Sequence, residues 1–317
     1  MNQAPHHDGR RGGLAKVVRV VGVALGVTAI AFLVATLVRE WPEVSNALAG
    51  ASPGGVFVAW LVAFAAMWGL AVLWSGTLHA YGAAPRMVDV SAWYFAGEMG
   101  KYLPGGIWPV VGRGELASRS GVTRSVAYGT TMLSLALMVL GGMLLCAVLA
   151  PFSLSGDDFP AALWLAYLAL PLGLALLHPA VLGRVFDLLR RTTRGRVDLE
   201  PASWGRMVGL AAASVPSWLL VGLSSWLVAR SLGYEAGLAR TMLAATLAWV
   251  VGFAAVPVPA GAGIREIVFV ATAGLGTTEA TVVATVARFL FVLVDAVGGL
   301  AGLGWVRAKR ILTDESP

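Results

Sequence analysis

One arginine lies far from every charge except that of its neighbour. Arg265 follows 24 uncharged residues, and 12 more follow Glu266. An ionisable side chain at membrane depth is costly and marks a functional site by default. A guanidinium can hold a phosphate through two parallel hydrogen bonds, so we expect Arg265, with Glu266 beside it, to bind an anionic lipid headgroup. The alternative is a local ion pair between the two.

Three more candidate headgroup ligands lie around the stretch GEMGKYLPGGIWPVVGRGE, residues 97–115. They are Glu98, Lys101 and Arg113. Lys101 and Arg113 would add positive charge beside a bound anion. Glu98 and Lys101 are three residues apart, so they can instead neutralise each other. Arg113 can also be an ordinary charge of a cytoplasmic loop.

Two further charges lie in the last apolar run. Arg288 and Asp295 are seven residues apart and share a helix face, about 10 Å along the axis. Asp295 lies near the middle of the run and needs a partner, which we expect to be Arg288 or Arg265. We assign both residues to the headgroup site. A buried network that only locks the helices together is the alternative.

Proline and glycine break two of the apolar regions, residues 90–112 and 241–278. The predicted helix breaks are at Pro104, Gly105, Gly106, Pro257, Pro259, Gly261 and Gly263. Proline removes a backbone donor, and glycine frees the chain from helical angles. A break inside the membrane also leaves a helix N-terminus with free N–H groups, which attracts anions such as phosphate. The alternative is a kink that only lets helices pack.

The composition shows which class of protein holds these charged groups. Of the 317 residues, 58% are hydrophobic and 13% charged, against about 25% charged in a soluble domain. The chain is therefore an integral membrane protein. Its net charge of +6 fits cytoplasmic loops rather than nucleic-acid binding. One cysteine and four scattered histidines predict no disulfide, metal site or cofactor, and without a nucleophile–base pair we expect no enzyme.

Six apolar runs are long enough to span a bilayer, which takes about 20 residues. They are residues 20–38, 54–74, 126–150, 161–177, 207–229 and 280–306. Loop arginines and lysines predict that both termini are cytoplasmic and that Asp157 and Asp158 face outward. The two broken regions must then enter and leave on one side each, as re-entrant hairpins of opposite orientation. The competing interpretation makes residues 241–259 a full span.

We therefore predict an all-α polytopic membrane protein with about six transmembrane helices and two oppositely oriented re-entrant hairpins. Related breaks in opposed hairpins are typical of inverted-repeat transporters. Residues 1–16 would form a disordered cytoplasmic tail, residues 17–310 a single transmembrane domain, and residues 311–317 a cytoplasmic C-terminal tail. The protein is expected in the cell membrane, plasma or inner.

The stretches GKYLPGGIWPVVGR, residues 100–113, and PVPAGAGIREIVF, residues 257–269, resemble the lysylphosphatidylglycerol synthase transmembrane-domain family. This is also called the flippase-like domain family. The resemblance covers nearly the whole chain from the first span onward. It implies a domain that moves an aminoacylated phospholipid between leaflets in the fused synthases. Stand-alone relatives accompany envelope polysaccharide or polyprenyl-linked pathways.

The resemblance implies roles for particular residues and leaves the lipid open. It carries over to Lys101, Pro104, Gly105 and Arg113, and to Pro259, Gly261, Gly263, Arg265 and Glu266. No soluble aminoacyl-transferase domain is present in this sequence, which speaks against lysyl transfer. We expect translocation or binding of an anionic phospholipid or a polyprenyl-phosphate-linked envelope precursor. The alternative is a non-transporting scaffold for an envelope glycosyltransferase.

Overall fold

The computed structural model describes residues 38–103, 106–153, 161–192, 198–254 and 259–314, with a few positions between 28 and 35. These residues form helices and connecting turns, with no strand among them. The all-helical prediction is confirmed. The predicted N-terminal tail, most of the first predicted span, Pro104, Gly105, Pro257, Asp157 and Asp158 lie outside the described residues.

Eleven α-helices follow the helical segment of residues 38–48 in the described chain. They are α1 (Pro53–Ala80), α2 (Met87–Glu98), α3 (Trp108–Arg119), α4 (Arg124–Ser153), α5 (Ala161–Leu176), α6 (Pro179–Thr192), α7 (Trp204–Ala213), α8 (Val215–Ser231), α9 (Leu238–Ala254), α10 (Ile264–Thr272) and α11 (Thr277–Asp314). Two 3₁₀ turns, Met99–Tyr102 and Pro259–Gly261, follow α2 and precede α10.

Four helical stretches of the described chain are long and apolar enough to cross a membrane. They are Pro53–Ala80, Arg124–Ser153, Trp204–Ser231 and Thr277–Lys309. Each coincides with a predicted span. The predicted span at 161–177 is shorter as a helix and continues, after a 73° bend, into α6. Counting that bent pair gives up to five spans in the described residues; the remaining predicted span, residues 20–38, lies mostly outside them.

Both broken regions form helical hairpins. Helices α2 and α3 pack side by side as hairpin one, and α9 and α10 do so as hairpin two. Glycines let the arms cross closely: a Cβ on Gly112 would lie 3.1 Å from the Cα of Gly97, and one on Gly261 would lie 3.0 Å from the Cα of Gly252. Gly261 also has a φ of 67°, which favours glycine. The first arm, α9, is an unbroken apolar helix over Leu238–Ala254; whether it crosses the whole membrane or re-enters stays a prediction.

The two hairpins approach α11 from opposite ends. The base of hairpin one lies at the C-terminal end of α11, where Lys309 contacts Asp89 at 2.8 Å. The base of hairpin two adjoins the other end, because Thr272 ends α10 just before α11 begins. The 3₁₀ turns at the two tips contact each other, and Tyr102 reaches Asp295 near the middle of α11.

This arrangement repeats one plan twice. In the first half, hairpin one lies between the long helices α1 and α4. In the second half, hairpin two lies between the α7–α8 pair and α11. The halves run in opposite directions. The start of α1 lies beside the end of α8, where a Cβ on Gly55 would meet Ser231, and the later Gly69 lies beside Ser217 near the start of α8. The first arm of each hairpin packs on the last helix of the other half: α2 on α11 and α9 on α4.

Candidate functional site

Hairpin one brings a chain of charges to its tip. Arg113, only 2% exposed, lies over the ring of Tyr94 at 4.0 Å and donates a hydrogen bond to Glu98. Lys101 lies 3.3 Å from the same carboxylate. The predicted Glu98–Lys101 pair is confirmed. The interpretation of Arg113 as a loop charge is wrong, because the crossing of the hairpin arms buries it.

Asp295, on α11, is the next residue in this series of ion pairs. Its carboxylate lies 2.7 Å from the Lys101 ammonium and accepts a hydrogen bond from the Tyr102 hydroxyl at 2.7 Å. The expected partner, Arg288 or Arg265, is therefore wrong. The tip of hairpin one supplies the counter-charge across a separation that sequence spacing does not reveal. One oxygen of Asp295, Oδ1, is buried without a hydrogen-bond partner.

Hairpin two presents Arg265 at the start of α10. Its guanidinium lies 3.9 Å from the centre of the Trp249 ring, close to Gly252 on the facing arm. Its Nε atom is buried and has no hydrogen-bond partner. Among the described residues, no carboxylate lies within ion-pair distance of Arg265. An arginine stacked on an aromatic face keeps its charge and most of its donors available.

The local pair that the sequence suggested for Arg265 does not form. Glu266 turns instead to Arg288, at 2.8 Å. Arg288 also lies 3.4 Å from Glu40, in the helical segment that precedes α1. Neighbours on a helix point about 100° apart. Arg265 can therefore face Trp249 while Glu266 faces α11.

The same three-residue unit builds both hairpin tips. Hairpin one combines Tyr94, Gly97 and Arg113; hairpin two combines Trp249, Gly252 and Arg265. In each, a ring on the first arm lies three residues before a glycine at the crossing. An arginine from the second arm covers the ring. The two units are the structural core of the repeat.

One position breaks this equivalence. The residue after Gly97 is Glu98, which pairs with Arg113. The residue after Gly252 is Phe253, which cannot accept a hydrogen bond. This difference explains why Arg113 has a resident carboxylate and Arg265 has none.

Two adjoining cavities open between the tips. The larger, about 130 Å³ in volume, has Arg113, Glu98 and Phe253 in its wall. The smaller, about 60 Å³, has Asp295 and Glu266 in its wall. Four residues line both and form the partition between them: Lys101, Trp249, Ala260 and Arg265. All seven predicted headgroup ligands, Arg288 included, line one cavity or both.

The second arms of both hairpins begin at the cavities. Neither α3 nor α10 has a hydrogen-bonded side-chain cap at its N-terminus. The first N–H groups of α10 are therefore available to an anion, whereas Pro109 in the first turn of α3 has no N–H to donate. Of the predicted breaks, Gly106 and Gly261 line the larger cavity. Pro259 begins the 3₁₀ turn at the second tip, and Gly263 precedes α10.

Sequence reasoning missed the aromatic partners Tyr94, Trp249 and Tyr102, and also Glu40. A signal for the first two exists, because YFAG at residues 94–97 matches WVVG at residues 249–252 in spacing. No comparable sequence pattern marks Glu40. Within the described residues, no group of three or more His, Cys, Asp or Glu side chains could hold a metal ion.

Long apolar helices and opposed hairpins around buried charges define a polytopic helical membrane protein. The family model described as the lysylphosphatidylglycerol synthase TM region matches residues 19–302. The chain belongs to this family, and the resemblance found in its sequence is confirmed. A comparison with curated proteins found no match.

Proposed function

We propose that this protein binds the anionic headgroup of a lipid between its hairpin tips and moves that lipid between leaflets. The observation that carries the proposal is Arg265, a buried guanidinium with no carboxylate partner among the described residues. The lipid would be a phospholipid or a polyprenyl-phosphate-linked envelope precursor. Its acyl or prenyl tails would stay in the bilayer.

The energetics of a buried cation support an anionic ligand. A central charge costs about 2.5–3.5 kcal/mol on insertion scales. The ring of Trp249 offsets roughly 0.5–2 kcal/mol of such a cost. A phosphate can offset the rest, because it accepts two hydrogen bonds from a guanidinium and more from the uncapped N-terminus of α10.

The arrangement of the hairpins supports translocation as well as binding. Opposed, broken helices whose tips meet near mid-height are the geometry of transporters that expose one central site alternately to each side. Each cavity has polar groups of its own, and Lys101 and Arg265 stand between them. A headgroup would cross from one cavity to the other past these two cations.

A change of Arg265 to Gln tests the proposal. We expect the Arg265→Gln protein to fold and to lose lipid transfer, because the anion loses the one cavity cation that has no carboxylate partner among the described residues. Arg265→Lys should keep part of the activity, since it retains the charge and loses the two-pronged hydrogen bonding. Transfer is measured as headgroup accessibility of a fluorescent phospholipid in reconstituted vesicles, beside a thermal melt.

Arg230→Gln is the matched control, because Arg230 is exposed and pairs with Glu235 at the opposite end of hairpin two from Arg265. It should transfer lipid like the unchanged protein. Full transfer by a folded Arg265→Gln protein would rule out the headgroup role. Co-purification with an envelope glycosyltransferase, without any lipid transfer, would favour the scaffold instead.

A further inference from the structure

Helix α6 lies across one end of the bundle. The chain bends by 73° between α5 and α6, so α6 leaves the direction of the helix before it. Its Leu182 and Phe186 side chains are buried. The Phe186 ring packs edge-on against Tyr81, which follows the end of α1, with 6.4 Å between the ring centres. One face of α6 is therefore covered by the protein.

This end of the bundle also holds the α3–α4 turn. A few residues after α6, the backbone N–H of Asp198 donates to the Ser125 hydroxyl at 2.7 Å. Ser125 lies in the first turn of α4. The sequence predicts this end to be cytoplasmic, because it holds most of the loop arginines.

A second face of α6 is apolar and uncovered. Val185 is 44% exposed and Leu188 is 62% exposed, and residues three apart are neighbours on a helix surface. In a membrane protein such a face meets acyl chains. A helix that is apolar on one side and charged on the other lies in the plane of the membrane interface.

The arginines of α6 are of two kinds. Arg190 lies 3.3 Å from Asp187 and 3.9 Å from Asp198, so the protein itself neutralises it. Arg184 and Arg191 are exposed, and neither has a carboxylate within ion-pair distance among the described residues. Two cations of the helix are therefore left for an external anion.

The two unpaired arginines lie on either side of the most exposed leucine of α6. Arg184 is four residues before Leu188 and Arg191 is three residues after it, so both lie within about 60° of Leu188 around the helix axis. Arginine can lay its apolar stem along such a surface and place its guanidinium at the level of the headgroups. Arg190 does not border Leu188 in this way.

We propose that α6 is an in-plane helix that binds anionic phospholipids of the adjacent leaflet. Val185 and Leu188 would lie among the acyl chains, and Arg184 and Arg191 would each bind a phosphate. They are about 10.5 Å apart along the axis, which leaves room for two lipids. A phosphatidylglycerol phosphate is free to accept these bonds, whereas the cation of a zwitterionic headgroup competes for its own phosphate.

This surface is separate from the central cavities, since no described residue of α6 lines either of them. The inference therefore goes beyond lipid translocation and does not depend on it. Failure of either proposal leaves the other standing.

A fluorophore on α6 can report which lipid lies beside it. Leu188→Cys in a Cys146→Ser background is labelled with bimane, and the full chain is placed in phosphatidylcholine vesicles. Spin-labelled lipids then quench the bimane. A spin label near the headgroup should quench more strongly than one at the end of the acyl chain, because α6 lies at the interface.

The same probe measures the preference for charge. Half of the maximal quenching should need at least about fivefold less spin-labelled phosphatidylglycerol than spin-labelled phosphatidylcholine, the effect of about one arginine near an anionic surface. Replacing both Arg184 and Arg191 by Gln should bring this ratio close to one. These side chains are exposed, so a thermal melt should be unchanged.

Arg190→Gln is the matched control, because it removes one charge from the same helix at a position that the protein already neutralises. It should lower the ratio less than Arg191→Gln does. Inorganic phosphate should leave the ratio as sodium chloride of equal ionic strength does, because a free anion lacks the tails that hold a lipid beside Leu188.

Several results would overturn the inference. Bimane that neither lipid quenches would show that α6 lies outside the membrane or is covered by another protein. Equal quenching by the two lipids would remove the preference for anions, and equal effects of Arg190→Gln and Arg191→Gln would leave only diffuse attraction. Loss of the preference in phosphate alone would assign the arginines to a soluble anion. If the double variant does not fold, Arg184→Gln and Arg191→Gln decide singly.

Discussion

At the scale of single residues, Lys101 is the group that joins the site together. It contacts Glu98 in its own hairpin and Asp295 in the other half of the chain. It also lies 5.7 Å from the Trp249 ring centre. A flexible ammonium can contact two carboxylates at once, whereas a guanidinium stacked on a ring is held in one orientation. Lys101 is therefore suited to move between the cavities, while Arg113 and Arg265 hold their positions.

Removing the carboxylate of Asp295 should destabilise the fold. Asp295 is 1% exposed, and Asp295→Ala leaves Lys101 with only Glu98. We expect a loss of about 3 kcal/mol, the lower end of the range for breaking a buried pair. Denaturant titration in mixed micelles measures it. The exposed Arg230–Glu235 pair is the control, where Arg230→Ala should cost less than about 1 kcal/mol.

A double substitution tells an ion pair from a packing role. Lys101→Met with Asp295→Leu removes both charges and leaves the Arg113–Glu98 pair intact. It should recover more than half of the stability lost in Asp295→Ala, because no uncompensated charge remains. Equal stability of the double and single variants would show that the Asp295 pocket depends on shape and the Tyr102 hydroxyl.

The sequence predicts which residues belong to the site better than it predicts their pairing. Arg265, Glu266 and Asp295 stand out because charges are rare in long apolar runs. Their partners lie across the fold: the sequence suggested Arg288 or Arg265 for Asp295, and the structure pairs it with Lys101. Long-range pairing depends on how hairpins meet, which local periodicity does not encode.

At the scale of elements, the glycine crossings fix the shape of each hairpin. The arms of hairpin one touch through Gly97 and Gly112, so that Arg113 reaches across to Tyr94. The sequence predicted the breaks from proline and glycine content, and parity of the loop charges predicted the hairpins. It did not show that glycines outside the break, Gly97 and Gly252, set the distance between arms. The sequence does not show which residue a glycine inside a helix will contact, because that depends on how the helices pack.

A methyl group at the crossing should separate the arms of hairpin one. In Gly97→Ala the new Cβ would lie 2.5 Å from Arg113 Cγ and 3.0 Å from the Arg113 backbone nitrogen. Backbone cannot yield easily, so we expect a loss of about 1–3 kcal/mol from overpacking, seen as a lower melting temperature. Gly209→Ala, with nothing within 4 Å of its added Cβ, is the control. It should be neutral or stabilise by up to about 1 kcal/mol; equal melting of the two variants would refute a close crossing.

At the scale of the whole molecule, the fold places the predicted cytoplasmic loops together. The α3–α4 turn and the C-terminal part of α11 lie at the same end of the bundle, and the α8–α9 turn lies at the other. The sequence assigned the same grouping from arginine and lysine counts. Which end faces the cytoplasm stays a prediction, because it depends on insertion rather than packing.

Single cysteines test that prediction. In a Cys146→Ser background, Ser120→Cys should label only from the cytoplasmic side and Glu235→Cys only from the outer side. Both positions are exposed, and an impermeant maleimide reports access in oriented vesicles. Unsubstituted Cys146 is fully buried and should stay unlabelled. Labelling of both engineered cysteines from one side would contradict the topology.

The contact between Tyr102 and Asp295 has a consequence for biogenesis. The two residues are 193 positions apart, and at roughly 5–20 residues per second a ribosome needs about 10–40 s to make the intervening chain. During that time the tip of hairpin one has no acceptor on α11, and α2 lacks its main packing surface. The nascent first half must wait in the membrane with Lys101 held by Glu98 alone. A stop codon before α11 should therefore leave a fragment that cellular proteases remove, however well its own helices insert.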